Sequence, residues 1–353
     1  MSTLMVMAGG TGGHVYPAMA VADHLKAEGW SIVWLATEGG MENRLVAGKG
    51  YAVPVIRMRG VRGKGLLRKL AAPLQVLLAC GQSLKALRQY RPDVVLGMGG
   101  FAAFPGGLTA WLLRRPLVIH EQNSIAGLTN RVLAHFACKV LAAFPSAFGK
   151  KAELVGNPVR ADIAAIAPPA ERFDGRSGPL RLLVVGGSLG AQALNEMVPL
   201  ALASLPEESR PEVIHQAGEK HIGALNENYR KAEVKAEARA FIDDMAKTYA
   251  WADLVICRAG ALTIAELSAA GIASVLVPFP HAVDDHQTHN ARYLSENGAA
   301  VLLPQTEMTP AKLAQLIGSF TRDTLLAMAQ RARALGKPQA TATVAAICKE
   351  LAR

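Results

Sequence analysis

"MAGGTGGHVYPAMAVA" (residues 7–22) and "VVGGSLGA" (184–191) decide how this chain is read. In the first stretch four glycines surround Thr11, and His14 follows at once. The run before it, "TLMVMA", is short and apolar, as in a buried strand. The run after it places Val15, Met19, Val21, Ala22 and Leu25 at helical spacing. A glycine turn between strand and helix exposes backbone N–H groups at a helix N-terminus, where the dipole favours an anion. The second stretch repeats the pattern 177 residues later, with Ser188 opposite Thr11. The chain reads as two halves of one design.

Further apolar runs support this reading. "SIVWLAT", "DVVLGMG", "PLVIHE" and "CKVLAAF" fall in the first half, and "LRLLVVGG", "PEVIHQAG", "ADLVICRAG" and "ASVLVPF" in the second. Continuous apolar strands separated by helical patterns predict parallel sheets of an α/β protein. The stretch 156–179 is rich in proline, glycine and charge and reads as a hinge between the halves. Two Rossmann-like halves predict a cleft fed by the carboxyl ends of both sheets.

At 353 residues, 51% hydrophobic and 19% charged, the chain has material for about two domains. Its four cysteines, Cys80, Cys138, Cys257 and Cys348, form no CxxC pair, which argues against a metal or disulfide framework and for a reducing compartment. No basic-then-apolar leader and no apolar run near twenty residues is present, so neither secretion nor a membrane span is expected. The net charge of +10 is uneven. Residues 1–160 hold 19 Lys and Arg against 7 Asp and Glu, a net +12, and the remainder is net −2. The first half therefore suits an anionic partner: nucleic acid, membrane or phosphorylated substrate.

Three glycine-motif readings can be tested. The dinucleotide fingerprint GxGxxG fails because the sixth position from Gly10 is Val15, although Glu38 could mimic the ribose-binding acid. A GxxxxGK[ST] phosphate loop is absent. Gly186–Gly190 does fit GxSxG of a hydrolase elbow, with Ser188 as nucleophile. That reading leaves the paired Thr11 loop unexplained and lacks an HGGG-type segment. Anion holding by both loops fits better.

Other clusters follow predicted strands. "GMGGFAAFPGG" (97–107) suits either tight packing or anion contact, and "HEQNSIAGLTNR" (120–131) sets four polar side chains at a strand end. "CRAGALTIAELSAAG" (257–271) predicts a helix beginning at Gly260–Ala261, with Thr263 near its amides and Glu266 placed for a ribose diol or for the helix dipole. In "PHAVDDHQTHNARYL" (280–294), Gln287 and Asn290 share one helical face suited to sugar hydroxyls. His286 and His289 complete no metal-ligand set, and no Asp-x-Asp occurs, so no metal is expected.

"AGGTGGHVYPAMAVA", "DVVLGMGGF", "HEQNSIAGLTN", "GNPVR", "VVGGSLGA", "FIDDM", "WADLVICRAGALTIAE" and "DHQTHNA", in this order from residue 5 to about 340, resemble the MurG family of bacterial glycosyltransferases (glycosyltransferase family 28). The resemblance implies an α/β GT-B fold, with two Rossmann-like domains whose parallel sheets face across a cleft. It implies an acceptor- and membrane-binding domain at 1–160, completed by a returning helix at 339–353, and a UDP-sugar domain at 161–338. The reaction implied is inverting transfer of N-acetylglucosamine from UDP-N-acetylglucosamine to the 4-hydroxyl of undecaprenyl-diphosphate-linked N-acetylmuramyl-pentapeptide, in peptidoglycan synthesis, without a cofactor. The donor contacts it implies fall on Thr11, Gly12, Gly13, Asn123, Arg160, Ser188, Ile242, Ala261, Leu262, Thr263, Ile264, Ala265, Glu266 and Gln287. Of these, Ile242 would read uracil through its backbone, Glu266 would hold ribose, and Gln287 would select sugar hydroxyls. Three positions depart from the family pattern. Phe101 stands where a tyrosine is common, Leu189 replaces a glutamine, and His286 stands where a second glutamine is frequent.

The attacking hydroxyl needs a base, and the leaving diphosphate needs positive potential. His14 is the candidate base, since its ordinary pKa lies near neutrality, and Glu121 is the alternative. His14 could equally orient the loop or bind acceptor phosphate. The segment 57–78 carries Arg57, Arg59, Arg62, Lys64, Arg68 and Lys69 without an acid, beside Leu66, Leu67 and Leu70. It suits an anionic membrane surface, and hence a peripheral place on the cytoplasmic face of the inner membrane. A nucleic-acid partner is not expected, because no aromatic residues interleave these charges.

Overall fold

The computed structural model describes residues 1–58, 66–187 and 190–352, the side chains of 66–71 and 283 excepted. The chain divides into two compact units, Met1–Arg160 with Gln339–Arg353, and Ala161–Pro338. Each is an α/β unit built on a six-stranded sheet.

The first unit contains β1 (Thr3–Ala8), β2 (Ser31–Trp34), β3 (Ala36–Thr37), β4 (Val55–Ile56), β5 (Val94–Gly99), β6 (Leu117–Glu121), β7 (Lys139–Ala142) and β8 (Glu153–Leu154). Its main sheet runs β2-β1-β5-β6-β7-β8, and β3 pairs with β4 beside it. All of these pairings are parallel. The sheet is covered on both faces, and β1 shows it by alternation. Leu4, Val6 and Ala8 enter one apolar core, and Met5 and Met7 the other. Full burial of each Leu, Val or Met side chain among these contributes roughly 1.5–3 kcal/mol. Between Met7 and Ala8 the β1–β5 ladder slips, so Ala8 faces Gly99 while Met7 faces Gly97. The slip carries the turn after β5 toward the turn after β1.

The last helix, Ala340–Leu351, packs on the first, Gly12–Ala27. Val344, Ala345, Ile347 and Cys348 join Val15, Ala18 and Val21 in one core. Thr341 Oγ1 donates to the Val159 carbonyl at 2.8 Å.

The second unit contains β9 (Arg181–Val185), β10 (Glu212–Gln216), β11 (Glu237–Arg239), β12 (Leu254–Cys257), β13 (Ala273–Leu276) and β14 (Val301–Leu302). Their order, β11-β10-β9-β12-β13-β14, is the doubly wound order of a Rossmann sheet, all parallel. The point where it reverses lies between β9 and β12, the strands that feed the two glycine turns of this unit.

One expectation is corrected. Most of 156–179 is part of the second unit rather than a free hinge. Phe173 enters its core. Arg176 pairs with the fully buried Asp253 and donates to the carbonyls of Ala250 and Trp251 at 2.6 and 3.1 Å. Arg172 donates to the carbonyls of Ala270 and Gly271, where a helix ends. Polar composition marked the stretch as a linker, but guanidinium groups can bury when carbonyls and a carboxylate receive them.

Candidate active site

In the first unit, Gly9 and Gly10 turn the chain from β1 into the helix Gly12–Ala27, with Gly10 at φ +88°. Thr11 stands at the helix N-terminus in extended conformation and its side chain makes no capping bond, and the first turn holds no acid. The positive end of the helix is thus left for an external anion. The turn after β5 comes against this one. Gly100, at φ +87°, is required to be glycine because a Cβ there would collide with the Gly9 carbonyl. A Cβ on Gly99 would come within 3.1 Å of the His14 ring.

His14, on the first turn of the helix, meets the loop after β6. Its Nδ1 lies 2.6 Å from Gln122 Oε1. Gln122 Nε2 lies 3.0 Å from His120 Nδ1 and 2.9 Å from the His120 carbonyl. His120 Nε2 reaches the Gly156 carbonyl at 2.8 Å. His120 is fully buried, and that burial pushes its pKa down to about 4. Asn123 is adjacent and half-buried.

Glu121, the alternative base in the sequence reading, has another role. Its Oε1 accepts from the Asn123 amide at 3.0 Å, and its Oε2 accepts from the Gly127 amide at 3.1 Å and from Asn130 Nδ2 at 2.9 Å. It is 1% exposed. A carboxylate so enclosed braces the 121–130 loop and is poorly placed to take a proton from substrate.

Sequence reasoning missed Glu42. It is fully buried, accepts from the Thr37 amide at 2.9 Å and from Thr37 Oγ1 at 2.6 Å, and comes within 3.5 Å of the Gly10 amide. A Cβ on Gly9 would fall 2.8 Å from its Oε1. The carboxylate therefore shapes the glycine turn from beneath. No periodicity marks it, since "MENRL" reads as a short polar helix. Glu38, the ribose-acid candidate of the dinucleotide reading, is instead exposed near Arg57, 3.7 Å from its guanidinium.

In the second unit, Gly186, Gly187 and Gly190 belong to the turn after β9. Gly187 and Gly190 have φ of +85° and +77°. Ser188, a predicted donor contact and the nucleophile of the hydrolase reading, and Leu189 lie outside the described residues. Gln216 Nε2 donates to the carbonyls of Gly187 and Ala240 at 3.1 and 3.2 Å, fastening the turn to the segment that carries the buried Ile242.

The helix Ala261–Ala270 starts after Gly260 as the sequence predicts, with no side-chain cap and no acid in its first turn. Ala261, Leu262, Thr263, Ile264 and Ala265 form its opening turns, and Glu266 follows at 7% exposure. Tyr249 Oη donates to Glu266 Oε2 at 3.3 Å. Burial, and next the Glu266 charge, push the Cys257 thiol up to about 12. Gln287, on the helix His286–Ser295, accepts the Phe279 amide through Oε1 at 2.9 Å. Two successive left-handed residues, Asp284 at φ +54° and Asp285 at φ +50°, precede that helix. Asn290 is a correction: it is fully buried and donates to the Ala259 carbonyl at 3.3 Å, so it shares no exposed face with Gln287.

The first unit thus gathers Thr11, Gly12, Gly13, His14 and Asn123 around two glycine turns, and half-buried Arg160 is its last residue before the second unit. The second unit carries Ile242, Ala261–Glu266 and Gln287. Among the described residues, no group of three or more His, Cys, Asp or Glu is placed to hold a metal ion.

Two Rossmann-like units with glycine turns and uncapped helix N-termini at their strand ends are the architecture of GT-B glycosyltransferases. Models of the glycosyltransferase family 28 N-terminal domain and C-terminal domain match residues 4–142 and 181–346. The chain belongs to glycosyltransferase family 28. It is 60% identical over 352 residues (100% of this chain, 99% of the relative) to a protein of Azoarcus sp. (strain BH72) named UDP-N-acetylglucosamine--N-acetylmuramyl-(pentapeptide) pyrophosphoryl-undecaprenol N-acetylglucosamine transferase. A protein of the same name from Dechloromonas aromatica (strain RCB) is 59% identical over 351 residues, 99% of each chain. The crystal structure of Acinetobacter baumannii MurG superposes with a TM-score of 0.88 at 44% identity, covering 99% of this chain and 100% of that one.

Proposed function

We propose that the chain transfers N-acetylglucosamine, with inversion, from UDP-N-acetylglucosamine to the 4-hydroxyl of a lipid-diphosphate-linked N-acetylmuramyl-pentapeptide. The observation that carries this reading is the 60% identity, over the whole chain, to a relative named for that transfer. The hydroxyl attacks the anomeric carbon as the bond to UDP breaks, and the bonding pair leaves with the diphosphate. His14 takes the hydroxyl proton. The amides of Gly186, Gly187 and Gly190 and the N-terminus of the helix Ala261–Ala270 offset the charge developing on UDP. The glycine turns around Thr11 and Gly99–Gly100 hold the acceptor diphosphate, and Thr11, Gly12, Gly13, Asn123, Arg160 and Ser188 complete the donor contacts. Acceptor-dependent release of UDP, measured beside a no-acceptor control, tests the reaction. Equal release with and without acceptor would sink it.

Glu266 holds the ribose, supported by its burial in the helix Ala261–Ala270, just past the opening turns, and its bond from Tyr249. Glu266→Gln, close to isosteric, is expected to raise the donor KM about ten- to hundredfold, because charge-assisted bonds contribute roughly 1.5–3 kcal/mol. An unchanged donor KM in the folded variant removes Glu266 from the ribose site.

We propose further that the first unit docks on an anionic membrane from the cytoplasmic side. Supporting this, Leu74, Leu77 and Leu78 stand 62%, 69% and 58% exposed on the helix Leu66–Tyr90, beside the basic stretch. Residues 59–65 of that stretch lie outside the described residues. No helix among the described residues is long and apolar enough to cross a membrane. Arg62→Gln, Arg68→Gln and Lys69→Gln together are expected to weaken binding to anionic vesicles by about 3 kcal/mol at low salt, at roughly 1 kcal/mol per basic residue. Turnover of a soluble short-chain acceptor is expected to persist. Undiminished vesicle binding would show that the basic stretch is not the docking face.

A further inference from the structure

His14, Gln122 and His120 form a hydrogen-bonded line that ends on a backbone carbonyl, and its polarity can be worked out from that end. The Gly156 carbonyl can only accept, so His120 Nε2, 2.8 Å away, carries a proton. His120 is buried and neutral at pH 7, so its Nδ1 is a lone pair. Gln122 Nε2 therefore faces two acceptors, this Nδ1 at 3.0 Å and the His120 carbonyl at 2.9 Å. Met98 Sδ, a weak acceptor, lies 3.8 Å from the same nitrogen. Only the NH2 end of the amide satisfies this position. Reversing the amide would set an oxygen against those acceptors in a buried site. Gln122 Oε1 is left toward His14 Nδ1 at 2.6 Å, and an amide oxygen accepts. The proton consequently sits on His14 Nδ1, and Nε2 holds the lone pair.

We propose that Gln122, oriented by His120, is a positioning residue that fixes the Nδ1–H tautomer of His14 and so presents Nε2 as the proton acceptor. The proposal rests on the reading of His14 as base. The acceptor hydroxyl's proton moves to Nε2, the ring becomes an imidazolium, and its Nδ1–H···Oε1 bond becomes charge-assisted and stronger. No second proton moves, because an amide oxygen does not take one. Gln122 thus aims the base and supports its charge, while His120 prevents the amide from turning over.

The test is nitrogen NMR of the full-length protein labelled with 15N-histidine, His14 being assigned from the signals that vanish in His14→Ala. In the parent protein, neutral His14 is expected to carry its proton on Nδ1 and to be bare on Nε2. In Gln122→Leu the His14 signals should move toward the Nε2–H tautomer, with kcat at least tenfold lower and both KM values within about twofold. Gln122→Glu, whose carboxyl in its neutral form can donate toward His120 and still offers His14 an acceptor oxygen, should keep the proton on Nδ1. His120→Gln, able to donate to Gly156 and accept from Gln122, should retain more activity than His120→Leu. A parent spectrum with the proton on Nε2 overturns the proposal, as does a Gln122→Leu variant whose His14 tautomer is unmoved. Should Gln122→Leu fail to fold, the parent and Gln122→Glu spectra decide in the same way. If the tautomer moves as expected but His14→Ala retains full kcat, the positioning stands and the base reading fails.

Discussion

His14→Ala is expected to lower kcat by about 10²–10⁴-fold, the usual contribution of a positioned general base. The donor and acceptor KM values should change by no more than a few-fold, since the amides of the Gly9–Gly13 turn remain. The expectation rests on placement. The His14 ring sits on the first turn of an uncapped helix, against Gly99 and in hydrogen-bond contact with Gln122. Steady-state kinetics with a soluble short-chain acceptor measures it, with thermal unfolding checked in parallel. Loss of the Gln122 bond should lower stability by only about 1 kcal/mol. A variant with kcat within threefold of the parent removes His14 from the chemistry, and a raised acceptor KM at constant kcat makes it a diphosphate ligand instead.

Acidification is expected to destabilise both units well above the range in which carboxylates titrate. His120 in the first unit and His215 in the second are buried as neutral rings. Desolvation pushes their pKa values down to about 4 and about 3. Unfolded, each takes up a proton near pH 6.5. Between 6.5 and the folded value, the unfolded chain therefore holds more protons, and stability falls as pH falls. Above 6.5 neither group contributes a slope. Each costs about 1.4 kcal/mol per pH unit inside its window. By pH 4 that is about 3 kcal/mol for each unit, a large share of a typical domain's stability. Urea midpoints at pH 7.5, 6 and 5 check it, read unit by unit if two transitions appear. His215→Leu should flatten the dependence for the second unit, although it breaks the 2.8 Å contact between His215 Nδ1 and Tyr229 Oη. Equal midpoints at pH 7.5 and 5 would refute the expectation.

The strands were legible because parallel sheets covered on both faces demand unbroken apolar runs. "DVVL", "PLVI", "RLLVV" and "ADLVIC" each form buried strands. The short edge strands β8, β11 and β14 were not legible. Partly exposed and two or three residues long, they carry too little pattern. The helix start at Ala261 was legible, since a glycine after an apolar run and before a helical period is a local signal.

By itself, then, the sequence determined the two-unit α/β class, the glycine turns and the histidine that follows the first of them. These depend on neighbours within a few residues or on hydrophobic period. Which polar side chains serve chemistry and which serve the scaffold was decided only in three dimensions. In "HEQN" the four residues look equivalent along the chain. Folded, Glu121 is enclosed by donors from residues 123–130, His120 faces a carbonyl at Gly156, and Gln122 turns to a histidine 108 positions earlier. Glu42 beneath Gly9 and Asn290 beneath Ala259 were likewise assigned by burial. A polar side chain's role depends on which partners desolvate with it, and those partners arrive from distant strands.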